Sequence, residues 1–257
     1  MNIKGKYISL FTILRKEITR FLRIWTQTLL PSVITMALYF IIFGNLIGSR
    51  ISDINGFRYI DFIAPGLIMM SIITNSYSNV VSSFFGSKFQ RNIEEILVSP
   101  TPGWIIIIGY VMGGIARGVV VGLLVTIVSL FFTKLHIFNI FIVMIFVLLT
   151  SILFSLAGFL NAIFAKKFDD ISIVPTFLLT PLTYLGGVFY SIKILPTFWQ
   201  QVSKLNPILY MVNGFRYGFL GFSDIDIYIG LEILLVFIVV FFVIALLLIK
   251  KGVGLRS

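Results

Sequence analysis

The chain has 257 residues, of which 58% are hydrophobic and only 12% are charged. A soluble domain carries about 25% charged residues. This composition therefore excludes an ordinary soluble enzyme, and it excludes a disordered chain, which needs low hydrophobicity. The net charge of +10 is typical of a membrane protein with basic cytoplasmic flanks, so we expect no nucleic-acid partner. With no cysteine and a single histidine, His136, we expect neither disulfides nor a metal site.

The order of polar and apolar segments predicts an all-α, polytopic membrane protein with one domain over 1–257. Residues 1–23 mix six basic residues with apolar residues at intervals of three and four. That pattern predicts an amphipathic helix in the plane of the membrane interface, in contact with the lipid bilayer. Apolar windows long enough to cross a hydrocarbon core of about 30 Å follow it. They predict six transmembrane spans, at about 25–48, 62–87, 105–133, 137–165, 171–191 and 228–249.

The basic residues also orient the chain. With both termini inside, the inner flanks hold thirteen Lys and Arg residues and the outer flanks hold six. This bias predicts cytoplasmic termini. The segment 192–227, between the fifth and sixth spans, is too apolar for a solvated loop and is broken by Pro196, Pro207 and Gly214. It predicts two short re-entrant helices on the outer side, where irregular backbone must be covered by protein or line a cavity.

A charged loop over 88–104 follows the second span on the predicted inner side. Three apolar residues at helical spacing predict a short amphipathic helix, and a proline ends it. Such a helix would lie on lipid only if its two adjacent carboxylates tolerated anionic headgroups, which repel them. Docking of a cytosolic protein is therefore the favoured interpretation. The candidate docking residues are Arg91, Glu94, Glu95, Ile96, Leu97 and Pro100.

Arg117 interrupts the third predicted span. If that helix enters near Ile105, the arginine lies about 18 Å deep at 1.5 Å per residue. A charge at mid-membrane costs at least about 2.5 kcal/mol, so it must face a partner or water. Two interpretations stay open: a pathway or hinge residue, and a structural contact inside the helix bundle. Small residues recur every four positions around it, which predicts close helix packing. They are Gly109 and Gly113 in one row, and Gly114, Gly118 and Gly122 in a second row.

Two rows of polar side chains also lie on single helix faces. The row in the first span includes Thr35 and Tyr39. Polar side chains avoid lipid, so each row either holds helices together or lines a route, and both interpretations stay open. The row in the second span is Ser71, Asn75, Ser78 and Ser82.

The sequence contains no motif of an enzyme active site. No phosphate-binding loop of the GxxxxGK type is present, and the single histidine lies in a predicted outer turn. We therefore expect no catalytic residues.

Several motifs then point to one family. The basic residue followed by Glu94-Glu95, Leu97, Ser99 and Pro100 resembles the coupling helix of ABC-2 type transporter permeases. The run Leu205-Asn206-Pro207, with Gly214-Phe215-Arg216, resembles the C-terminal motif of that family. Segments 40–48, 64–70, 168–172 and 181–190 extend the resemblance over essentially the whole chain, to the YadH-like group of bacterial inner-membrane permeases.

This resemblance implies the membrane subunit of an ATP-driven exporter in the bacterial inner membrane. It implies a homodimer in a two-plus-two complex, with cytosolic ATP-binding ABC subunits that hold ATP and Mg and no cofactor on this chain. It also implies that the first and fifth spans line the pathway for an amphipathic or hydrophobic substrate. The candidate lining residues are Thr35, Tyr39, Tyr184 and Tyr190, and the residues of the outer re-entrant motif are Asn206, Pro207 and Arg216.

Two other functions remain open on the sequence alone. An autonomous channel or secondary transporter would need coupling-ion ligands inside its spans, where only Arg117 and Glu232 carry charge. A membrane scaffold without transport would tolerate apolar replacement of Arg117 and of the polar rows.

Overall fold

The computed structural model describes residues 2–51, 53–54 and 56–254. Within these ranges the regular secondary structure is helical, apart from one antiparallel bridge between Ile54 and Phe57. The predicted all-α class is therefore confirmed. Met1 of the predicted interfacial segment and Arg256 of the predicted inner flank lie outside the described residues.

Helix α1 (Ile3–Arg23) corresponds to the predicted interfacial segment. Its residues Ile13, Glu17 and Phe21, spaced by four, are buried against the other helices. A second face is apolar and open, and it carries four side chains that are 66–72% exposed. These exposed apolar residues are Ile3, Tyr7, Ile8 and Phe11. A helix with one packed face and one exposed apolar face fits an interfacial position, although its depth in a bilayer stays a prediction.

The first span is helical but irregular. It starts as α2 (Trp25–Thr28), continues as α3 (Leu30–Tyr39), and loosens into a π-helical segment over Phe40–Ile47 and a 3₁₀ turn over Gly48–Arg50. The backbone at Ile24, with φ −112° and ψ 39°, separates α2 from α1. Together these segments account for the predicted window 25–48.

Four regular helices follow. They are α4 (Tyr59–Phe89), the short α5 (Asn92–Val98), α6 (Gly103–Ser129) and α7 (Ile140–Phe164). The predicted windows 62–87, 105–133 and 137–165 match α4, α6 and α7 within a few residues at each end. The predicted loop 88–104 contains α5, as its apolar spacing indicated.

The fifth window, 171–191, forms a shorter helix than predicted. It is built from α8 (Asp170–Ile173), a π-helical segment over Val174–Leu179 and α9 (Thr180–Leu185), and it ends at Gly186. At 1.5 Å per residue it is about 24 Å long, which is less than the hydrocarbon core of about 30 Å. Among the described residues, five helices are long and apolar enough to cross a membrane. Five of the six predicted spans therefore form helices of sufficient length, and the crossing at 171–191 stays a prediction.

After a 3₁₀ turn over Ile192–Ile194, the remaining α-helices are α10 (Thr197–Lys204), α11 (Pro207–Leu220) and α12 (Ile227–Lys251). The segment 192–227 thus contains the two short helices that its composition predicted. Their location in the outer leaflet stays a prediction. Helix α12 matches the last predicted window, 228–249.

Helix α4 is the centre of the bundle. Within its apolar window 83% of the residues are buried, against 22% in the first span and 11% in α12. The glycines of α6 explain how its neighbours approach: a Cβ on Gly109 would lie 2.6 Å from Ile13 of α1. A Cβ on Gly158 of α7 would lie 2.5 Å from the carbonyl oxygen of Tyr77 of α4. The close packing predicted around Arg117 is confirmed, with Gly109 and Gly113 facing α1 and the second row facing α4 and α7.

Candidate docking surface and polar network

Helix α5 presents an acidic face to solvent. Arg91 has a left-handed backbone, with φ +62°, and this sharp turn separates α5 from the end of α4. Ile93 is 1% exposed and anchors α5 on the bundle, whereas Glu94 and Glu95 are exposed. Val98 is 88% exposed. The exposed side of α5 therefore combines two carboxylates with one uncovered apolar side chain.

The structure divides the predicted docking residues into two sets. Arg91, Glu94, Glu95 and Pro100 are exposed. Ile96 and Leu97 are half-buried and pack against the hydrophobic core of the bundle. The first set is available to a partner, and the second fixes the helix that presents it.

The loop after α5 is bonded to α1. The Ser99 hydroxyl donates to the carbonyl oxygen of Ile96 at 2.6 Å and lies 2.9 Å from the hydroxyl oxygen of Thr101. The Thr101 hydroxyl in turn donates to the Ser9 hydroxyl at 3.3 Å. The predicted docking segment and the N-terminal helix are therefore neighbours.

Arg117 is held by uncharged acceptors. It is 9% exposed, and its guanidinium donates to the carbonyl oxygen of Thr28 at 2.8 Å and to Asn75 Oδ1 at 2.9 Å. Asn75 also donates to the Ser32 hydroxyl at 3.0 Å. Arg117 thus joins α6, α4 and the first span in one buried contact. This geometry fits the structural interpretation, in which the arginine is satisfied inside the bundle.

The predicted row on α4 is only partly a contact surface. Asn75 lies in the buried contact with Arg117, but Ser71 donates to the carbonyl oxygen of Ile68, one turn back in its own helix. Ser82 is exposed and donates to the carbonyl oxygen of Ser78 at 2.7 Å. Hydroxyls that bond their own helix need no partner from another helix. The structure brings neither Ser71 nor Ser82 to a side chain of another helix among the described hydrogen bonds.

A different row of α4 residues makes the contact with α1. Ser83 donates to Glu17 Oε1 at 2.6 Å, and Arg20 donates to Asn79 Oδ1 at 2.8 Å and to the Asn79 carbonyl oxygen at 2.9 Å. Glu17 and Arg20 also form an ion pair at 3.4 Å. We call Glu17, Arg20, Asn79 and Ser83 the α1–α4 polar cluster. It fixes the interfacial helix to the central helix.

The electrostatics of this cluster are dominated by burial. Glu17 is 0% exposed, and burial raises the pKa of its carboxyl above the ordinary value of 4.5. The neighbouring Arg20 charge and the hydrogen bond from Ser83 act in the opposite direction without cancelling the shift. A buried carboxylate costs free energy unless it is paired, and here it has one cation and one hydroxyl donor.

The candidate lining residues of the first and fifth spans are brought together in part. The Tyr39 and Tyr184 hydroxyls lie 3.0 Å apart, and both rings approach Phe189, at centroid distances of 6.1 and 5.6 Å. Thr35 is exposed, on the same helix as Tyr39. Tyr190 is half-buried and forms no ring contact with this cluster among the described aromatic pairs.

The residues of the predicted outer motif connect α11 to other helices of the bundle by hydrogen bonds. Arg216 is fully buried, donates to the carbonyl oxygens of Gly187 at 2.7 Å and Phe62 at 3.2 Å, and lies 3.9 Å over the Phe62 ring. Asn206 accepts from the backbone N–H of Ile208 and so caps α11, in which Pro207 is the first residue. Its amide also donates to the Leu182 carbonyl oxygen at 2.6 Å. This motif fastens α11 to α4 and to the end of the fifth span.

Comparison with known proteins identifies the family. The chain matches the ABC-2 type transporter family over residues 8–220. The chain belongs to this family. It is 63% identical to the inner membrane transport permease YadH of Escherichia coli strain K12 over 251 residues, which cover 98% of each chain. It is also 22% identical to nodulation protein J of Rhizobium leguminosarum bv. viciae over 232 residues, 88% of this chain and 90% of the relative.

These matches establish the general role of the chain. It is a transport permease, a multi-pass protein of the inner membrane, and not an enzyme. Membership of the ABC-2 family also implies pairing with an ATP-binding ABC subunit.

The α1–α4 polar cluster of the permease was not predicted from the sequence. One signal for it exists: Glu17 is the only acidic residue in α1, three positions before Arg20. A single acidic residue on a strongly basic helix has neighbouring cations with which it can pair, so it can be buried on the packed face. Asn79 and Ser83 share the spacing of four with Asn75, so the period alone did not distinguish them from the predicted row.

Proposed function

We propose that this permease is the membrane subunit of an ATP-driven exporter. It forms the translocation pathway as a homodimer and couples to two separate ATP-binding subunits, which bind on the cytoplasmic side and hold ATP and Mg. Both termini are cytoplasmic, and this chain binds no cofactor. The transported compound is amphipathic or hydrophobic.

The observation that carries this proposal is the position of α5. An exposed acidic helix, with an uncovered Val98, directly follows the most buried helix of the bundle. Only two residues, Gln90 and the left-handed Arg91, join the two helices. Force applied to α5 by a partner would therefore reach the centre of the bundle without a flexible linker.

A second transmission route runs through α1. The loop after α5 is bonded to α1 by Thr101 and Ser9, and α1 is fixed to α4 by the α1–α4 polar cluster. The two routes meet on α4. A displacement of the docking segment would thus move α1 and α4 together.

The aromatic cluster supports the location of the pathway. The hydrogen bond between Tyr39 and Tyr184 connects the first and fifth spans, which are both irregular and contain π-helical segments. π-Helical segments are frequent at functional sites, because they break the regular register of a helix. In the proposed exporter, Thr35, Tyr39, Tyr184 and Tyr190 line the route at this junction.

Alternating access then requires a differential effect of ATP. ATP must favour one arrangement of the bundle over the other, because a ligand with equal affinity for both states shifts nothing. Moving the equilibrium from 1:99 to 99:1 requires a difference of about 5.5 kcal/mol. ATP bound between the two partner subunits supplies this difference, and α5 delivers it to the permease.

The test reverses the charge of the docking helix. The permease with Glu94→Lys and Glu95→Lys is co-expressed with the cognate ATP-binding subunit and purified in mild detergent. We expect the complex to dissociate, or its ATPase rate to lose its dependence on the permease, while the permease itself stays inserted. Complex mass and ATPase rate are the measurements.

Asp169→Lys provides the matched control, since this acid is also exposed but lies in the turn before α8. It should leave the complex intact. An unchanged complex and unchanged transport in the double variant would contradict docking at α5. Transport by the permease alone, without any ATP-binding subunit, would contradict the exporter and favour an autonomous channel or secondary transporter.

A further inference from the structure

The exposed face of α1 becomes strongly basic in the C-terminal half of the helix. Arg15, Thr19 and Arg23 follow each other at intervals of four, so they form one row along the helix. They line a shallow cleft open to solvent along one side of α1, together with Phe11, Lys16 and Ile24, and no residue of another helix lines it among the described residues. We call this cleft the basic groove. It lies on α1 next to the break at Ile24, where the chain turns into the first span.

The charges of the basic groove are only partly used by the protein. Lys16 donates to the Ser87 hydroxyl at 3.4 Å, and Arg20, which also borders the groove, is engaged with Asn79 and Glu17. Within the described ranges of the chain, Arg15, Thr19 and Arg23 form no side-chain hydrogen bond or ion pair. The single acid of α1, Glu17, is buried on the packed face. Two cations and a hydroxyl donor are thus left for an external anion.

The edges of the basic groove are apolar. Phe11 at one end is 66% exposed, Ile24 at the other end is 38% exposed, and the adjoining Trp25 is 54% exposed. A free phosphate gives these side chains no apolar partner. An amphiphile satisfies both parts, because its phosphate meets the arginines while its chains lie against the exposed apolar side chains of the first span.

We infer that the basic groove binds an anionic phospholipid of the cytoplasmic leaflet, with the headgroup phosphate between Arg15, Thr19 and Arg23. This assignment rests on the proposed cytoplasmic orientation of α1, but not on the docking of an ATP-binding subunit. The bound lipid holds α1 at the bilayer surface beside the docking segment. Near an anionic surface each such cation contributes roughly a factor of five in affinity.

The experiment uses the full-length permease in detergent, with phosphatidylglycerol as the probe and native mass spectrometry as the readout. Arg15→Gln with Arg23→Gln removes both free charges, and we expect binding about twenty-five-fold weaker, from two factors of about five. Lys4→Gln with Lys6→Gln is the control, because it removes two charges from the same helix outside the groove. It should change binding by less than about threefold, since these lysines do not face the phosphate.

A second variant separates charge from structure. Arg15→Lys with Arg23→Lys keeps both cations, and it should bind phosphatidylglycerol within about fivefold of the unmodified chain. Equal losses in the groove pair and in the Lys4 and Lys6 pair would overturn the site, because the charge would then act diffusely. Displacement of the lipid by millimolar inorganic phosphate, or equal binding of phosphatidylcholine, would overturn the assignment to an anionic lipid.

This measurement contains no ATP-binding subunit. Failure of docking at α5 therefore leaves the lipid result readable. Failure of lipid binding likewise leaves the docking result intact.

Discussion

Replacing Gly109 by alanine should loosen α1 from the bundle. Apolar carbon atoms pack best at about 3.5–4.0 Å, yet the new Cβ would lie 2.6 Å from Ile13 Cγ2 and 2.9 Å from Ile13 Cβ. A change of the Ile13 rotamer moves Cγ2 but leaves Cβ in place. Helix α1 must therefore recede from α6 by about 1 Å.

The size of the effect follows from two opposing terms. Overpacking of this kind costs about 1–3 kcal/mol, whereas Gly→Ala in a helix gains up to about 1 kcal/mol of propensity. Gly86 of α4 offers a matched control, because a Cβ there meets no heavy atom within 4 Å. Gly86→Ala keeps only the gain, so the two variants should differ by about 1–3 kcal/mol in unfolding free energy.

The assay combines denaturant unfolding in detergent with hydrogen exchange of the α1 amides. In the Gly109→Ala variant we expect faster exchange along α1 and unchanged exchange in α7, since the contact is local. Equal unfolding free energies for the two alanine variants would refute the reasoning. Unchanged hydrogen exchange of the α1 amides in the Gly109→Ala variant would also refute it, because α1 would then pack on α6 through some other contact.

Three further predictions concern single side chains. The pKa of the Glu17 carboxyl is raised in the folded chain. The stability of the unmodified chain relative to the Glu17→Gln variant should therefore be highest below about pH 4.5 and fall as the pH rises through the folded pKa. Parallel profiles of unfolding free energy against pH in the two chains would contradict burial of the carboxyl. Arg117→Leu should change stability by less than about 3 kcal/mol. The variant loses two hydrogen bonds of about 1.5–3 kcal/mol each, but it also removes an intramembrane charge that costs about 2.5–3.5 kcal/mol. Transport should nevertheless decrease while the ATP-binding subunit still co-purifies, and full transport would leave Arg117 with a structural role only. Tyr39→Phe and Tyr184→Phe each remove the same hydrogen bond, so their stability losses of about 1 kcal/mol should not add in the double variant, and additive losses would show that the two hydroxyls do not interact.

The locations of the long helices could be predicted from the sequence, because they depend mainly on how apolar each segment is. Long apolar windows located α4, α6, α7 and α12 within a few residues. The helix in the fifth window, 171–191, is shorter than predicted. Hydropathy measures how apolar a segment is, but it does not show where the helix is interrupted. Pro175 and Pro181 each remove a backbone donor from that segment, and two glycines, Gly186 and Gly187, end it early.

The candidate site could be predicted only where its residues lie on a single helix, and not where it depends on how two helices pack together. The acidic face of α5 follows from the spacing of seven consecutive residues, and the structure exposes Glu94 and Glu95 as expected. The contact face of α4 did not follow, because two polar rows with the same period share Asn75. Packing of α1 on one of them selects Asn79 and Ser83, and no property of α4 alone encodes that choice.

The contact of Arg117 with Thr28 and Asn75 has a consequence for biogenesis. Synthesis runs from the N-terminus, so the first span and α4 leave the ribosome before α6. When the arginine enters the bilayer, its two acceptors are already there. The same charge placed in the first span would enter without a partner and meet the full insertion cost of about 2.5–3.5 kcal/mol. The order of the helices along the chain thus provides the acceptors before the charge that needs them.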